Sequence, residues 1–352
     1  MVPEIEAARN PLNRRSIRPG KASLTGTVCR SRRCCVRYQR RMRNGDTPRE
    51  LGDPGLHPEG RIRNLVELNI AVLLFAGTSL FAKIIPLPVP YIIFGRSAIA
   101  AVAILLYSVA TRASLRPARR GDLRVLLGLG VVLAVHWVTY FQAVRVSTVA
   151  IGTISLHTYP IITVLVEPVV DRTRIRADDA IIAFVVLVGI VILVPELSLT
   201  SSVTQGVLWG VVSATLFTAR NLVVRRFVQR YSGSTLMLYQ TAVSAMVLLP
   251  YVLLTRGLAE TVGEWPLFLL LGTVFTALTQ SLYAGSLRTL PAKTVAIIAT
   301  LLPLYSAVLA VIVLDEVPAV RTVVGGVVVV GAVMVETVRA AGAHRRGARR
   351  RP

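Results

Sequence analysis

An all-α integral membrane fold, with ten transmembrane helices in two inverted five-helix repeats, is predicted by three features of this sequence. Apolar residues cluster in blocks of about 20, enough to cross a bilayer core at about 1.5 Å per helical residue. Basic residues gather at the two ends and in alternate connections. Two passages in opposite halves resemble each other at a constant offset.

Composition supports the first feature. The 352 residues are 53% hydrophobic and 16% charged, with a mean hydropathy of +0.62, whereas an ordinary soluble domain carries about 25% charged residues. Buried strands of a soluble α/β protein would give apolar runs of about 4 to 8 residues.

Taken in order, residues 1–63 hold 15 Lys/Arg against 6 acids. Rich in Arg, Pro and Gly, they cannot bury a core and are expected to form a disordered basic extension. Cys29, Cys34 and Cys35 all lie there, with no His at zinc spacing and no second pair to complete a tetrahedral site. No stretch resembles a signal peptide, and Met42 offers a second start nearer the first span. The first repeat, 64–200, holds spans at 64–84, 88–110, 122–143, 148–170 and 179–195. The first of these closes on Lys83, which can snorkel to the surface. The second carries Arg96, the third His136 and Tyr140, and the fourth His157, Tyr159, Pro160 and Glu167. The second repeat, 201–338, holds spans at 204–224, 234–255, 265–286, 292–314 and 319–338. Tyr239 and Gln240 lie in the seventh, Gln280 and Tyr283 in the eighth, and Pro303 in the ninth. The connections are short and rich in Pro, Gly, Ser or Arg. A basic tail, 339–352, has 6 Arg and no acid.

Charge sets the orientation. With the N-terminus inside, the connections on that side carry 13 Lys/Arg, from Arg112 to Lys293, against four on the other: Lys83, Arg145, Arg256 and Arg321. Both termini are therefore expected in the cytoplasm of a multi-pass cell-membrane protein. The net charge of +22 lies largely in the flanks, where it reads as a topology signal and an anionic-lipid contact. Nucleic acid is not an expected partner.

The internal repeat aligns "YFQAVRVSTVAIGTISLHTYPIITVL" (140–165) with "YAGSLRTLPAKTVAIIATLLPLYSAVL" (283–309), placing Tyr140 over Tyr283 and Pro160 over Pro303 at an offset of 143. "SLFAK" (79–83) likewise resembles "TLFTAR" (215–220). Five spans is an odd number, so the second copy enters the membrane inverted, an arrangement suited to alternating access around a site near the midplane.

With "LLFAGTSLFAK", Arg96, "HWVTYFQAV" (136–144) and "STVAIGTISLHTYPI" (147–161), and then "VAIIATLLPLYSAVLAVIVLDE" (295–316) ahead of a Gly-rich last span, the chain resembles the drug/metabolite transporter superfamily. In particular it is similar to ten-helix EamA-type transporters over about residues 64–338. The resemblance implies a secondary transporter. It does not imply a substrate, because that superfamily handles amino acids, sugars, nucleotide-related metabolites and drugs. Such repeats often carry a Glu thirteen residues after the Pro of the fourth helix. Glu316 fills that place in the second half, but Thr173 stands there in the first, with Glu167 earlier.

A charge at the bilayer centre costs about 2.5–3.5 kcal/mol, so each one needs a partner or a wet cavity. Counting from mid-span places Arg96, His136 and His157 at one level outward of the midplane, with Tyr140 one turn beyond His136. Tyr239, Gln240 and Gln280 fall on the inner side, with Tyr283 beyond, so one polar cluster is expected on each side. Substrate-binding or cavity positions are thus Arg96, His136, Tyr140, His157, Tyr159, Gln240, Gln280 and Tyr283. Structural alternatives stand beside them: Arg96 satisfied by carbonyls or a neighbouring span, His136 and His157 packed, and Glu167 paired with Arg172 or Arg174. Pro160 and Pro303 each remove a backbone donor, freeing the carbonyls of Leu156 and Ala299, and are expected hinges.

The function expected is transport of a small organic metabolite or drug by alternating access, with efflux favoured. His157 admits proton coupling, since imidazole ordinarily titrates near neutrality. No cofactor or metal is expected. An enzyme is disfavoured because the four His include no H-E-x-x-H, and a pump because no G-x-x-x-x-G-K-[ST] occurs. A membrane scaffold or lipid-handling protein is the alternative. Gly325, Gly326 and Gly331 permit close helix packing, including a homodimer.

Overall fold

The computed structural model describes residues 58–112, 121–170, 172, 177–194, 198–227, 230–255, 262–290 and 292–349. The expected disordered extension falls outside the described residues except at its end. There 58–63 are helical, because α1 (Pro58–Thr78) starts earlier than expected. With α2 (Phe81–Ile84) it forms the first span. Then follow α3 (Val89–Ala110) and α4 (Asp122–Val146), and a fourth span in two pieces, α5 (Val149–Leu156) and α6 (Tyr159–Val170). α7 (Ala177–Leu193), α8 (Ser202–Phe227) and α9 (Gly233–Leu254) come next. The eighth span is α10 (Trp265–Gly272), a π-helical turn (Thr273–Leu278) and α11 (Thr279–Thr289). The ninth again has two pieces, α12 (Ala292–Ala299) and α13 (Leu302–Leu314). The last helix, α14 (Val320–Arg349), runs on through most of the expected tail.

Nine segments among the described residues are long and apolar enough to cross a membrane. Of the ten expected spans the one left over is α7, whose 17 residues stand at the short end of the spanning range. Its outward face is apolar: Phe184 is 65% exposed and Val191 58%. Inside the bundle the pattern reverses, with Arg96 and His136 each 4% exposed. Apolar outside and polar inside is the distribution expected of a chain solvated by lipid.

The helices pair in a pattern that maps onto itself when the two halves are exchanged. α4 packs on α8, and α1 packs on α11. α4 also meets α9, as α10 meets α3; α5 and α6 meet α8, as α13 and α12 meet α1. Two pairings are their own counterparts, α3 with α9 and α7 with α14, while α5 also packs on α13. Matched glycines permit two of the counterpart contacts. A Cβ on Gly130 would lie 2.4 Å from the Val243 Cβ, and one on Gly272 would lie 2.7 Å from the Ile99 Cγ2. Gly325 and Gly326 also serve packing within the chain, against Gly189 with Leu193 and against Ile154, while nothing lies within 4 Å of a Cβ on Gly331.

Both broken spans break ahead of their prolines rather than at them. α5 ends at Leu156, and His157 and Thr158 form a turn closed by Thr158 Oγ1 donating to the Ser155 carbonyl at 2.8 Å. α12 ends at Ala299, with Thr300 Oγ1 donating to the Ile297 carbonyl at 2.6 Å. Pro160 and Pro303 are each the second residue of the following piece. There a missing N–H costs no intrahelical bond. The prolines start the second pieces, and the threonines close the first.

Candidate functional site

The two broken spans meet in the middle of the bundle, as α5 packs on α13, and beside them lies a cavity of about 330 Å³. That volume is in the range that accepts a small organic molecule. Its walls come from both halves: α1, α3, α4, α5 and α6 on one side, and α8, α9, α11, α12 and α13 on the other. Arg96, His136, Tyr140, His157, Tyr159, Gln280 and Tyr283 all line it. The two clusters expected on opposite sides of the midplane are therefore walls of one cavity. Tyr239 is not among the lining residues.

Arg96 projects from α3. Its Nε donates to Thr276 Oγ1 at 3.0 Å, and its Cζ stacks 4.0 Å over the Trp137 ring. Thr276 is available because it lies in the π-helical turn, where its hydroxyl donates back to the Leu271 carbonyl at 2.7 Å and leaves lone pairs to accept Arg96. π-turns concentrate at functional positions because they re-aim side chains. A desolvated cation–π contact is worth about 2 kcal/mol, so Trp137 offsets much of the cost of burying this charge.

His136 on α4 is fixed by Ser213 of α8. Its Nδ1 lies 3.0 Å from the Ser213 carbonyl and 2.8 Å from Ser213 Oγ, while Ser213 Oγ donates to the His136 carbonyl at 2.9 Å. His157 turns Nδ1 to the Thr153 carbonyl at 3.0 Å. Its ring also comes close to the carbonyl of Ala299, the last residue of α12. The histidine at one break thus lies beside the break in the other half. Tyr140 OH lies 3.2 Å from Thr153 Oγ1. Tyr159 packs its edge on Phe217, with ring centroids 4.8 Å apart, and Tyr283 packs on Phe75 at 5.7 Å.

Gln240 stands apart from this group. It is 1% exposed and lies behind the cavity wall, bonding the Leu236 carbonyl through Nε2. Its Oε1 accepts Arg220 Nε at 2.6 Å, so it positions Arg220. Pro303 lines a separate apolar groove instead, between α5, α13 and α14.

Arg220 of α8 is the cavity residue that the sequence reading passed over, having taken "TLFTAR" only as a mark of the repeat. A sufficient signal was present: outside the two flanks and the connections, the chain has just two basic residues, Arg96 and Arg220. Thr276 gave no such signal, because nothing in "TVFTAL" marks a π-turn.

Several ion pairs join the halves, among them Asp122 with Arg230 and Asp179 with Arg339, and two others involve Glu316 and Glu167. Asp315 adopts the left-handed conformation (φ 54°) and ends α13. This turns Glu316 toward the start of α5, where Oε2 accepts the Val149 N–H at 2.8 Å and Oε1 lies 3.2 Å from Lys83 Nζ. Lys83 also donates to the Ser147 carbonyl at 2.8 Å, so it is tied into the bundle rather than snorkelling. Beside it Arg145 caps the end of the first span, donating to the Ala82, Ile85 and Leu87 carbonyls. At the other end Glu167 pairs with Arg225 of α8 rather than with Arg172; Arg174, the other expected partner, lies outside the described residues.

A bundle of apolar-faced helices around a cavity that carries buried basic and aromatic groups from both halves is the arrangement of a multi-pass membrane transporter. The EamA-like transporter family model matches twice, over residues 68–194 and 204–337, and the chain belongs to that family. It is 23% identical over 261 residues to the uncharacterized transporter YxxF of Bacillus subtilis, covering 73% of this chain and 84% of that one. It is 28% identical over 244 residues to the pseudopaline exporter CntI of Pseudomonas aeruginosa, covering 69% and 84%. A solved crystal structure at 18% identity superposes with a TM-score of 0.55 over 79% of this chain and 97% of its own, which supports the fold.

Proposed function

We propose that this chain is a secondary transporter that exports a small organic metabolite or drug across the cell membrane by alternating access. The observation behind the proposal is the cavity walled by both halves: rocking one half against the other changes which end is open. The self-mapping helix pairing supports ten crossings in two inverted five-helix repeats, with α7 as the tenth. The basic connections support cytoplasmic termini. On that orientation Lys83–Glu316 closes the outer end, Arg225–Glu167 closes the inner end, and each breaks in turn. Resemblance to an exporter favours the outward direction. His157, which lines the cavity at the break of the fourth span, is the group through which proton coupling would act.

The test is flux in proteoliposomes. Purified protein should carry at least one compound from a panel of labelled organic acids, amino acids, nucleosides and drugs down its gradient. His157→Leu should insert normally and lose that flux. A folded protein that moves none of the panel would contradict the proposal in favour of a scaffold.

A further inference from the structure

We propose that the cavity selects an organic oxyanion bearing two negative charges, held between Arg96 and Arg220. The inference deepens the transport reading and rests on it for the role of the site, while its test is one of binding alone.

Both basic side chains left inside the spans line this one cavity. Arg96 is 4% exposed. Among the described residues it makes a single hydrogen bond, through Nε to Thr276. Both Nη groups therefore lack a protein acceptor, yet they are not sealed in the protein interior; they face the cavity. The Trp137 ring under the guanidinium fixes its plane. Among the described residues Arg220 has neutral hydrogen-bond partners: Gln240 Oε1 at 2.6 Å, Asn221 Oδ1 at 3.3 Å and Met237 Sδ at 3.9 Å. His136 lies within electrostatic reach of both guanidiniums.

No Asp or Glu is among the residues lining the cavity. Several of the described acids elsewhere have cationic partners at the ends of the bundle, such as Lys83 for Glu316 and Arg225 for Glu167. Two guanidiniums thus share a secluded space with no counter-charge supplied by the chain. Buried charge is stable only when paired, and the partner that fits the free Arg96 fork beside a second guanidinium with only neutral partners is an oxyanion accepting bidentate bonds. A primary amine would meet two like charges and no carboxylate. The aromatic walls, Trp137, Tyr159, Phe217 and Tyr283, suit the organic body between or beside the charged groups.

Trp137 makes binding readable without transport. It is buried against Arg96, while the other two tryptophans, Trp209 and Trp265, are 41% and 59% exposed on the outer surface. Fluorescence and thermal unfolding of the purified full chain would be followed during titration with five probes. These are glutarate and suberate as dicarboxylates, glycerol 3-phosphate as a phosphate dianion, glutaramide as the neutral isostere and cadaverine as the diamine.

The expected result is saturable binding of at least one dianion, with glutaramide and cadaverine weaker by about a hundredfold, as befits the loss of two charge-assisted contacts. Which dianion binds separates carboxylate from phosphate recognition. Arg96→Lys and Arg220→Lys, each confirmed folded by gel filtration, should each weaken that dianion by about tenfold. The inference is overturned if glutaramide or cadaverine binds as well as the dianions, if none of the three dianions binds, or if both variants bind like the parent. Binding of a dianion without flux would leave this inference standing and remove the transport reading. Flux of amines alone would do the reverse.

Discussion

Arg220 reaches the cavity because one buried amide holds it there. Gln240 is fixed by its own hydrogen bond to the Leu236 carbonyl and presents Oε1 to Arg220 Nε. Removing that acceptor leaves a guanidinium donor unpaired in a low-dielectric interior, a loss of about 1–3 kcal/mol. Gln240→Leu is expected to fold and insert, since the shape changes little, but to weaken substrate binding by about tenfold, which ligand titration in detergent would measure. An unchanged affinity would mean that Arg220 is aimed by its other contacts. The same pair illustrates what was legible at this scale. Arg96 stood out as a charge in mid-span and was assigned to the cavity. Arg220 stood in an equally apolar helix but within a motif that had already served as a repeat marker. Gln240 was taken for a cavity residue because depth along a helix says nothing about which face a side chain occupies.

Helices in this bundle approach closely where glycines remove the Cβ, and the closest approaches are duplicated. Gly130 on α4 faces Val243, and its counterpart Gly272 faces Ile99. Gly130→Ala places a methyl 2.4 Å from a branched carbon that cannot swing aside, so overpacking of about 1–3 kcal/mol is expected. Gly128 lies on the same helix with nothing within 4 Å, and there alanine should be neutral or stabilising by up to about 1 kcal/mol. Thermal unfolding in detergent should therefore separate the two variants in opposite directions; equal shifts would contradict the assigned packing. Most of the elements were readable beforehand, because a bilayer demands long apolar runs and the basic connections punctuate them. What the sequence did not show was local: the π-turn that aims Thr276, the onset of α1 at Pro58, and the breaks set by Thr158 and Thr300. Each depends on hydrogen-bonding choices that leave composition unchanged.

Across the whole molecule, two ion pairs at opposite ends bracket one cavity, and each joins one half to the other. The Lys83–Glu316 pair is the better buried, with side chains 27% and 20% exposed against 49% and 39% for Arg225–Glu167. It also holds the first free N–H of α5. Exposed pairs contribute little, about 0–1 kcal/mol, so Lys83–Glu316 should be the stronger of these two pairs. Access to the cavity from each side is the central claim, and cysteine labelling tests it most directly. The three native cysteines, Cys29, Cys34 and Cys35, lie far from the cavity in sequence and can be replaced by serine. A single cysteine at Gln280, a cavity-lining position, would then be exposed to a membrane-impermeant thiol reagent in right-side-out and inside-out vesicles. The account predicts labelling from both sides, slower from the outside, with Glu316→Gln accelerating the outside reaction severalfold and leaving the inside reaction equal or slower. Labelling from one side only, in both the parent and Glu316→Gln, would contradict it.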